Sequence, residues 1–187
     1  MTTTLIFVEL LAAGTLSSLA LILLLITFGL EPKIIAEVAD RELLATIASL
    51  AVVYPLGVVT DGLADKLFRR IGSRYRERYN LQSGHTVFSL FAEGRGNNFA
   101  EKYFEYNRVR TRMVRSFLLN ALLMLSTGVP CIVHLGLGKL WIFIWLVFWG
   151  GTASAAYWSL HQLMESWYRM LAIAWKDWPL LSEQQNK

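Results

Sequence analysis

Long apolar stretches alternate with polar ones along this chain, and a polar segment in the middle divides them into two pairs. Residues 5–30 form the first stretch, interrupted by one charge, Glu9, and residues 43–60 form the second with no charge. Residues 116–135 and 140–160 form the other pair. A helix of about 18 residues or more is long enough to cross a bilayer. The pattern therefore predicts four membrane-spanning helices arranged as two hairpins.

The polar segment covers residues 61–115 and changes character along its length. Residues 61–71 place their apolar side chains on one helical face, which is typical of a helix lying along the membrane interface. Arginine alternates with tyrosine and glutamate at residues 74–79, which favours a strand, although this region is too short for periodicity to decide. A long helix is predicted to start at Asn98, because Asn98 and Glu101 have the spacing of a capping box.

The predicted fold class is an all-α membrane protein, with four transmembrane helices in two hairpins and a basic cytoplasmic segment between spans 2 and 3. Four parts follow along the chain: hairpin 1 (1–60), the basic segment with the base of helix 3 (61–115), hairpin 2 (116–160) and an amphipathic cytoplasmic tail (161–187). The tail is amphipathic up to Pro179 and polar beyond it.

Composition agrees with a membrane protein. The 187 residues are 55% hydrophobic and only 17% charged, whereas a soluble domain carries about 25% charged residues. The single cysteine, Cys131, excludes a disulfide framework and a cysteine-based metal site. The basic pI of about 9.3 fits an anionic partner, and anionic lipid headgroups are sufficient to provide one.

The positive charges predict the orientation. The middle segment carries 12 of the 18 lysines and arginines, while the two loops expected on the opposite side carry only Lys33, Arg41 and Lys139. Because lysine and arginine concentrate on the cytoplasmic side of membrane proteins, we predict that the middle segment and both termini are cytoplasmic. The expected location is a cell membrane that the chain crosses several times, with both ends inside.

Catalytic and metal-binding patterns are not recognisable in the sequence. The histidines at 85, 134 and 161 fall in three different predicted regions, so they are not expected to share a metal ion within one copy of the chain. Neither a Ser/His/Asp nor a Cys/His arrangement is supported by the spacing. We therefore expect no enzyme, no cofactor and no metal site.

The most distinctive charged pattern lies on the third helix. Steps of four, three, four and three residues place five side chains on one helical face: Glu101, Glu105, Arg108, Arg112 and Arg115. One interpretation is a charged wall at a cytoplasmic pore mouth, or a site for an anionic ligand or partner protein. The alternative is anchoring, in which glutamate and arginine pair along the helix and the arginines reach lipid headgroups.

A second basic cluster precedes this stripe and is predicted to contact lipid headgroups or a partner protein. Its members are Arg69, Arg70, Arg74, Arg76 and Arg78. Tyrosines stand between the last of them, and a mixture of bases and aromatics is typical of proteins that bind single-stranded nucleic acid. No nucleic-acid-binding motif accompanies the cluster, so nucleic acid is the weaker alternative.

Small residues on two of the spans predict close contacts between helices. They are Gly14, Ser18, Gly150, Gly151, Ser154 and Ala155. These residues either pack the helices of one copy or join copies in a homo-oligomer. Four helices are too few to enclose a water-filled path, so a channel built from this chain requires several copies.

Polar groups inside membrane spans are candidates for function. Glu9 lies near the predicted cytoplasmic end of span 1, where its carboxylate is able to reach the interface. Asn120, in span 3, is placed to form hydrogen bonds across helices.

With two hairpins around a basic cytoplasmic segment, the chain resembles the small multi-span membrane subunits of bacterial antiphage defence systems, such as the membrane component of Kiwa and comparable channel-like effectors. The resemblance covers the whole chain, rests on architecture and carries over no functional residue. It implies a homo-oligomer in the inner membrane that works with a cytoplasmic protein. Our leading hypothesis is a homo-oligomeric channel or signal-responsive effector. The alternative is a non-conducting sensor or scaffold whose basic segment docks a soluble partner or an anionic ligand.

Overall fold

The computed structural model describes residues 3–31, 33, 37, 42–81 and 98–176, with side chains described for 7–31, 33, 37, 51–81 and 102–175. Four long helices account for most of these ranges: α1 (Thr3–Thr27), α2 (Glu42–Arg78), α3 (Asn98–His134) and α4 (Lys139–Lys176). No strand occurs within the ranges, so the all-α prediction is confirmed for this part of the chain.

Within the described residues, three helices are long and apolar enough to cross a membrane. The candidate spans are residues 7–27 of α1, 102–134 of α3 and 139–175 of α4. The predicted membrane protein with transmembrane helices is therefore supported. Among the described side chains of α2, residues 51–60 are uncharged and the second half of the helix is strongly charged. The helix α2 is not one of the three candidate spans.

The helix α2 is longer than its sequence pattern predicts. It runs from Glu42 to Arg78 and continues through Pro55. Residues 74–78, where the alternation favoured a strand without deciding the matter, are helical. The reason is tertiary, because Tyr75 is buried in an apolar cluster with residues of α3 and α4. A helix brings that side chain onto the same face as the apolar residues one turn and two turns before it.

The helix α3 is central and packs against α1, α2 and α4. It runs antiparallel to α4, because Trp145 near the start of α4 donates to the Met124 carbonyl at 3.0 Å, while Tyr103 near the start of α3 hydrogen-bonds Ser166 at 2.9 Å. At ~1.5 Å per residue, both helices are about 55 Å long and exceed a ~30 Å hydrocarbon core. The beginning of α3 and the end of α4 therefore extend together beyond the apolar region.

The second half of α2 packs onto these extended ends. Phe68 and Ile71 contact the apolar cluster that includes Leu160 and Met164 of α4. The apolar face predicted for residues 61–71 is thus present, but part of it covers protein. The membrane-interface interpretation therefore does not apply to Phe68 and Ile71.

Glycines allow α1 and α2 to approach each other closely. A Cβ atom added at Gly14 would collide with the carbonyl oxygen of Val53, and one added at Gly57 would collide with the carbonyl oxygen of Leu10. Ser18, beside this contact, donates its hydroxyl to the Gly14 carbonyl at 2.8 Å. In this structure, Gly14 therefore serves packing within one copy of the chain, which is one of the two roles that its spacing left open.

Candidate functional site

Two aspartate–arginine pairs join α2 to α3. Arg112 Nη2 donates to Asp61 Oδ2 at 2.6 Å, and Arg115 Nη1 donates to Asp65 Oδ1 at 2.6 Å. Ser116 Oγ donates to the other oxygen of Asp61 at 3.2 Å. The aspartates are four residues apart and the arginines three, so each set lies on one face of its helix. These pairs place charged groups at the contact between two helices.

The pairs divide the stripe that the sequence predicts on α3. Arg112 and Arg115 face α2, where aspartates neutralise part of their charge. Arg108 is exposed and Glu105 is half-buried. The side chain of Glu101 lies outside the described residues. Sequence reasoning missed the aspartate partners, because a residue about fifty positions away on another helix leaves no signal in the local spacing.

A pocket of about 460 Å³ lies between α2, α3 and α4, next to the second pair. Of the described residues, four arginines and one aspartate line it, giving this part of the lining a formal charge of +3. The aspartate is Asp65, and the arginines are Arg69, Arg76, Arg108 and Arg115. We call this the basic pocket. It unites two groups that the sequence predicts separately, since Arg69 and Arg76 come from the cluster on α2 and the other two from the stripe on α3.

The arginines of the basic pocket differ in how they are held. Arg76 Nε is buried and has no hydrogen-bond partner within the described residues. The Arg115 side chain is only 15% exposed and is held by Asp65. Arg69, which is 75% exposed, lies 3.8 Å from the same aspartate. A buried N–H group without a partner is unfavourable, so an oxygen atom of a bound molecule would stabilise Arg76.

An aromatic wall faces these arginines from α4. Trp167 and Tyr168 line the basic pocket and are half-buried, and Phe68 of α2 lines it as well. Gly72 keeps the space beside Tyr168 open, because a Cβ atom there would lie 3.2 Å from the tyrosine hydroxyl. The pocket therefore combines positive charge with planar apolar surface.

Other members of the predicted sets lie elsewhere. Arg70, Arg74 and Arg78 are exposed on α2 and do not line the basic pocket. On α4, Gly151, Ser154 and Ala155 are exposed and Gly150 is half-buried. A Cβ atom at Gly150 or Gly151 would meet no described atom within 4 Å. Within the described residues, this small-residue face of α4 is not used for helix packing.

A neutral polar layer joins three helices beyond the charged pairs. Asn120 is fully buried; its Oδ1 accepts from Ser17 Oγ at 2.8 Å and its Nδ2 donates to the Ala13 carbonyl at 2.9 Å. Ser17 and Thr60 hydroxyls are 2.6 Å apart. The predicted hydrogen bonding of Asn120 across helices is thus confirmed. The layer fixes α1, α2 and α3 at one level.

Tyr75 and His161 form a contact that the sequence did not indicate. The tyrosine hydroxyl and His161 Nδ1 are 2.8 Å apart. Desolvation by burial is the largest of the causes that raise the pKa of Tyr75 above its usual value. The hydroxyl therefore stays protonated and joins α2 to α4 at all physiological pH values.

No protein-family model matches the chain, and comparisons with curated proteins and with solved structures gave no match either. The likeness to antiphage membrane subunits consequently rests on architecture alone. The features of this chain that bear on its function are its long apolar helices, the basic pocket at their polar ends and the small-residue face on α4.

Proposed function

We propose that the protein is a signal-responsive membrane effector that binds a small phosphorylated ligand in the basic pocket and acts as a homo-oligomeric channel. The observation that carries the proposal is the convergence of four arginines from two helices on one pocket, with a formal charge of +3. Arg76, with its buried and unpartnered Nε among the described residues, supplies a donor that the fold leaves unused.

Phosphate is the chemistry that fits these side chains best. The planar guanidinium group donates two parallel hydrogen bonds to phosphate or carboxylate oxygens. A pocket of about 460 Å³ falls within the ~300–1,000 Å³ typical of small-molecule sites. Trp167 and Tyr168 offer surface for a planar ring. These features favour a small phosphorylated molecule over the flat surface of a partner protein.

Ligand binding in the basic pocket is expected to change the contact between α2 and the membrane-spanning helix α3. A phosphate near Arg115 competes with Asp65 for the same guanidinium group. About one turn earlier on α3, Arg112 holds Asp61 at 2.6 Å. A ligand that binds only when the Arg115–Asp65 pair is open therefore shifts the population towards a state with a looser α2–α3 contact.

The proposed arrangement in the membrane has four crossings, with residues 43–60 of α2 as the fourth. Their lack of charge allows them to cross. The excess of lysine and arginine at residues 61–115 assigns that segment and both termini to the cytoplasm. The basic pocket then faces the cytoplasm of a bacterial cell, where phosphorylated metabolites are available. Action in antiphage defence, with a cytoplasmic protein, is the role that the architectural resemblance implies.

Assembly is proposed to use the small-residue face of α4. Only 11% of the apolar window of α4 is buried, against 56% for α3, so α4 is an outer helix of the single chain. Small residues let helices from two copies approach closely. We expect Gly151→Leu to shift the detergent-solubilised oligomer towards smaller species, as measured by mass photometry. An unchanged mass would assign this face to lipid, and a monomeric wild type would exclude the oligomer.

A flux and stability experiment tests the proposal. Purified protein in neutral detergent is heated with adenosine triphosphate or pyrophosphate as the probe, and ion flux is followed after reconstitution into liposomes. We expect either probe to raise the unfolding temperature of the wild type and of the matched control Arg110→Gln, whose arginine lies outside the pocket on α3. Arg76→Gln and Arg108→Gln should lose this response.

The same experiment separates the two candidate functions. Probe binding together with flux supports the channel, whereas binding without flux in every lipid composition supports the non-conducting sensor. A wild-type thermal response in both Arg76→Gln and Arg108→Gln would show that the basic pocket is not the ligand site.

A further inference from the structure

A second and larger cavity lies between α1 and α4, on another face of α3. Its volume is about 840 Å³, and it shares no lining residue with the basic pocket. Apolar side chains such as Leu16 and Phe117 form most of its walls. Its polar floor comes from Glu9, Asp61, Arg112, Ser116 and Asn120. We call this cavity the α1–α4 cleft.

Glu9 is the unexplained group of the α1–α4 cleft. It sits in the apolar helix α1 and is 8% exposed. Its Oε1 is buried and has no hydrogen-bond partner among the described residues. Buried charges in proteins are normally paired or hydrogen-bonded, because an isolated carboxylate loses its hydration without compensation. The fold therefore leaves a carboxylate oxygen in the cleft for which a cation is the natural partner.

The other charged groups of the cleft do not remove this need. Arg112 is the one cation that the described part of the chain contributes to the lining, and Arg112 Nη2 is held by Asp61 at 2.6 Å. Two carboxylates thus face one guanidinium group, and the lining has a formal charge of −1. The polar groups that α4 adds are the neutral hydroxyls of Thr152 and Ser159. The field in the cleft consequently favours a single positive charge and disfavours an anion.

We propose that the α1–α4 cleft binds an amphiphilic organic cation. Its positive group pairs with Glu9, and its hydrocarbon part lies against the apolar walls. The volume suits a small organic molecule or part of a lipid, and the apolar walls exclude a strongly hydrated metal ion. Two sources offer this chemistry: the ammonium headgroup of phosphatidylethanolamine and a free hydrophobic ammonium or phosphonium compound. The inference needs neither ion conduction nor ligand binding at the basic pocket.

Equilibrium binding of radiolabelled tetraphenylphosphonium to the protein in uncharged maltoside micelles tests this inference. We expect saturable binding to the wild type and a loss of about ten-fold or more in affinity for Glu9→Gln, as for removal of one favourable charge contact. Glu165→Gln is the matched control, because it removes the same charge from an exposed position outside the cleft. It should bind the probe as the wild type does.

A second set of maltoside micelles with added phosphatidylethanolamine distinguishes the two sources. If the lipid headgroup occupies the cleft, this lipid lowers probe binding, and native mass spectrometry finds it retained by the wild type but not by Glu9→Gln. If a free cation is the ligand, the added lipid leaves probe binding unchanged. Both results support the inference.

Absence of saturable probe binding to the wild type in maltoside micelles without added lipid, or equal affinity of Glu9→Gln and wild type, overturns the inference. Thr152→Phe gives an independent check if Glu9→Gln fails to fold, because it fills the cleft from α4 and leaves the carboxylate in place. It should weaken probe binding, and wild-type affinity in this variant also overturns the inference. Failure of the phosphate-ligand proposal would leave all these results unchanged.

Discussion

The Arg112–Asp61 pair allows a quantitative prediction about how α2 is held to α3. The two charged groups are 2.6 Å apart, and their side chains are 27% and 24% exposed. Replacing Arg112 with Met keeps a side chain of similar length but removes the charge. Asp61 and Glu9 then remain at the floor of the α1–α4 cleft without the cation that faced them.

The exposure of the pair decides the size of the effect. Removing one partner of a fully buried pair costs ~3–5 kcal/mol, whereas a surface pair contributes only ~0–1 kcal/mol. Because about a quarter of each side chain is exposed, we expect Arg112→Met to lower the free energy of unfolding by about 2–3 kcal/mol. Arg69→Met is the comparison: Arg69 is 75% exposed and 3.8 Å from Asp65, so its loss should cost less than about 0.5 kcal/mol.

A double-mutant cycle isolates the interaction itself. Asp61→Asn is combined with Arg112→Met, and unfolding in mixed detergent micelles is followed by the fluorescence of the seven tryptophans. We expect a coupling energy of about 1–2 kcal/mol, as for residues in direct contact. A coupling energy near zero, with Arg112→Met no more harmful than Arg69→Met, would refute the role of this pair in joining the helices.

Three further predictions use the same preparation or whole cells. Gly57→Ala should lower the free energy of unfolding by more than about 1 kcal/mol, because the added methyl group meets the backbone of α1. Gly62 has open space around it, so Gly62→Ala should raise the free energy of unfolding by about 0.5–1 kcal/mol through helix propensity. Equal changes in the two variants would contradict the close α1–α2 contact. Asn120→Leu removes the hydrogen bonds that join α3 to α1 and should cost about 1–3 kcal/mol in the same unfolding assay, so a neutral result would argue against the polar layer. Ser83→Cys and Gly138→Cys test the orientation, since an impermeant thiol reagent on whole cells should label position 138 and not position 83, and the reverse pattern would invert the proposed topology.

The sequence alone determined the helical class, the membrane character and several helix boundaries. Apolar stretches and their lengths can be recognised from local composition. Each apolar side chain is stabilised by leaving water, whichever helix or lipid it later packs against. The start of α3 at Asn98 was likewise predicted from a capping pattern within four residues. All four arginines of the basic pocket were among the predicted candidates.

Tertiary structure decided what local pattern left undetermined. Residues 74–78 became helical because Tyr75 packs against α3 and α4, which outweighs the weak strand preference of an alternating sequence. Gly14 became an internal contact, while Gly151 stayed uncovered on α4 within the described residues. The spacing of small residues in the sequence places them on one helical face, but it does not show which neighbouring helix packs against that face.

The two cavities depend most strongly on the folded chain. Their lining residues come from three or four helices that are far apart in sequence, and the rotation of each helix about its axis decides which side chains meet. That rotation follows from the packing of all the helices together, including the close approach at Gly57 and the hydrogen bonds of Asn120. For this reason, the sequence predicted a basic segment, whereas only the tertiary structure divided its charges between paired arginines and a basic pocket. Only the tertiary structure also showed a cleft in which an oxygen of Glu9 has no partner among the described residues.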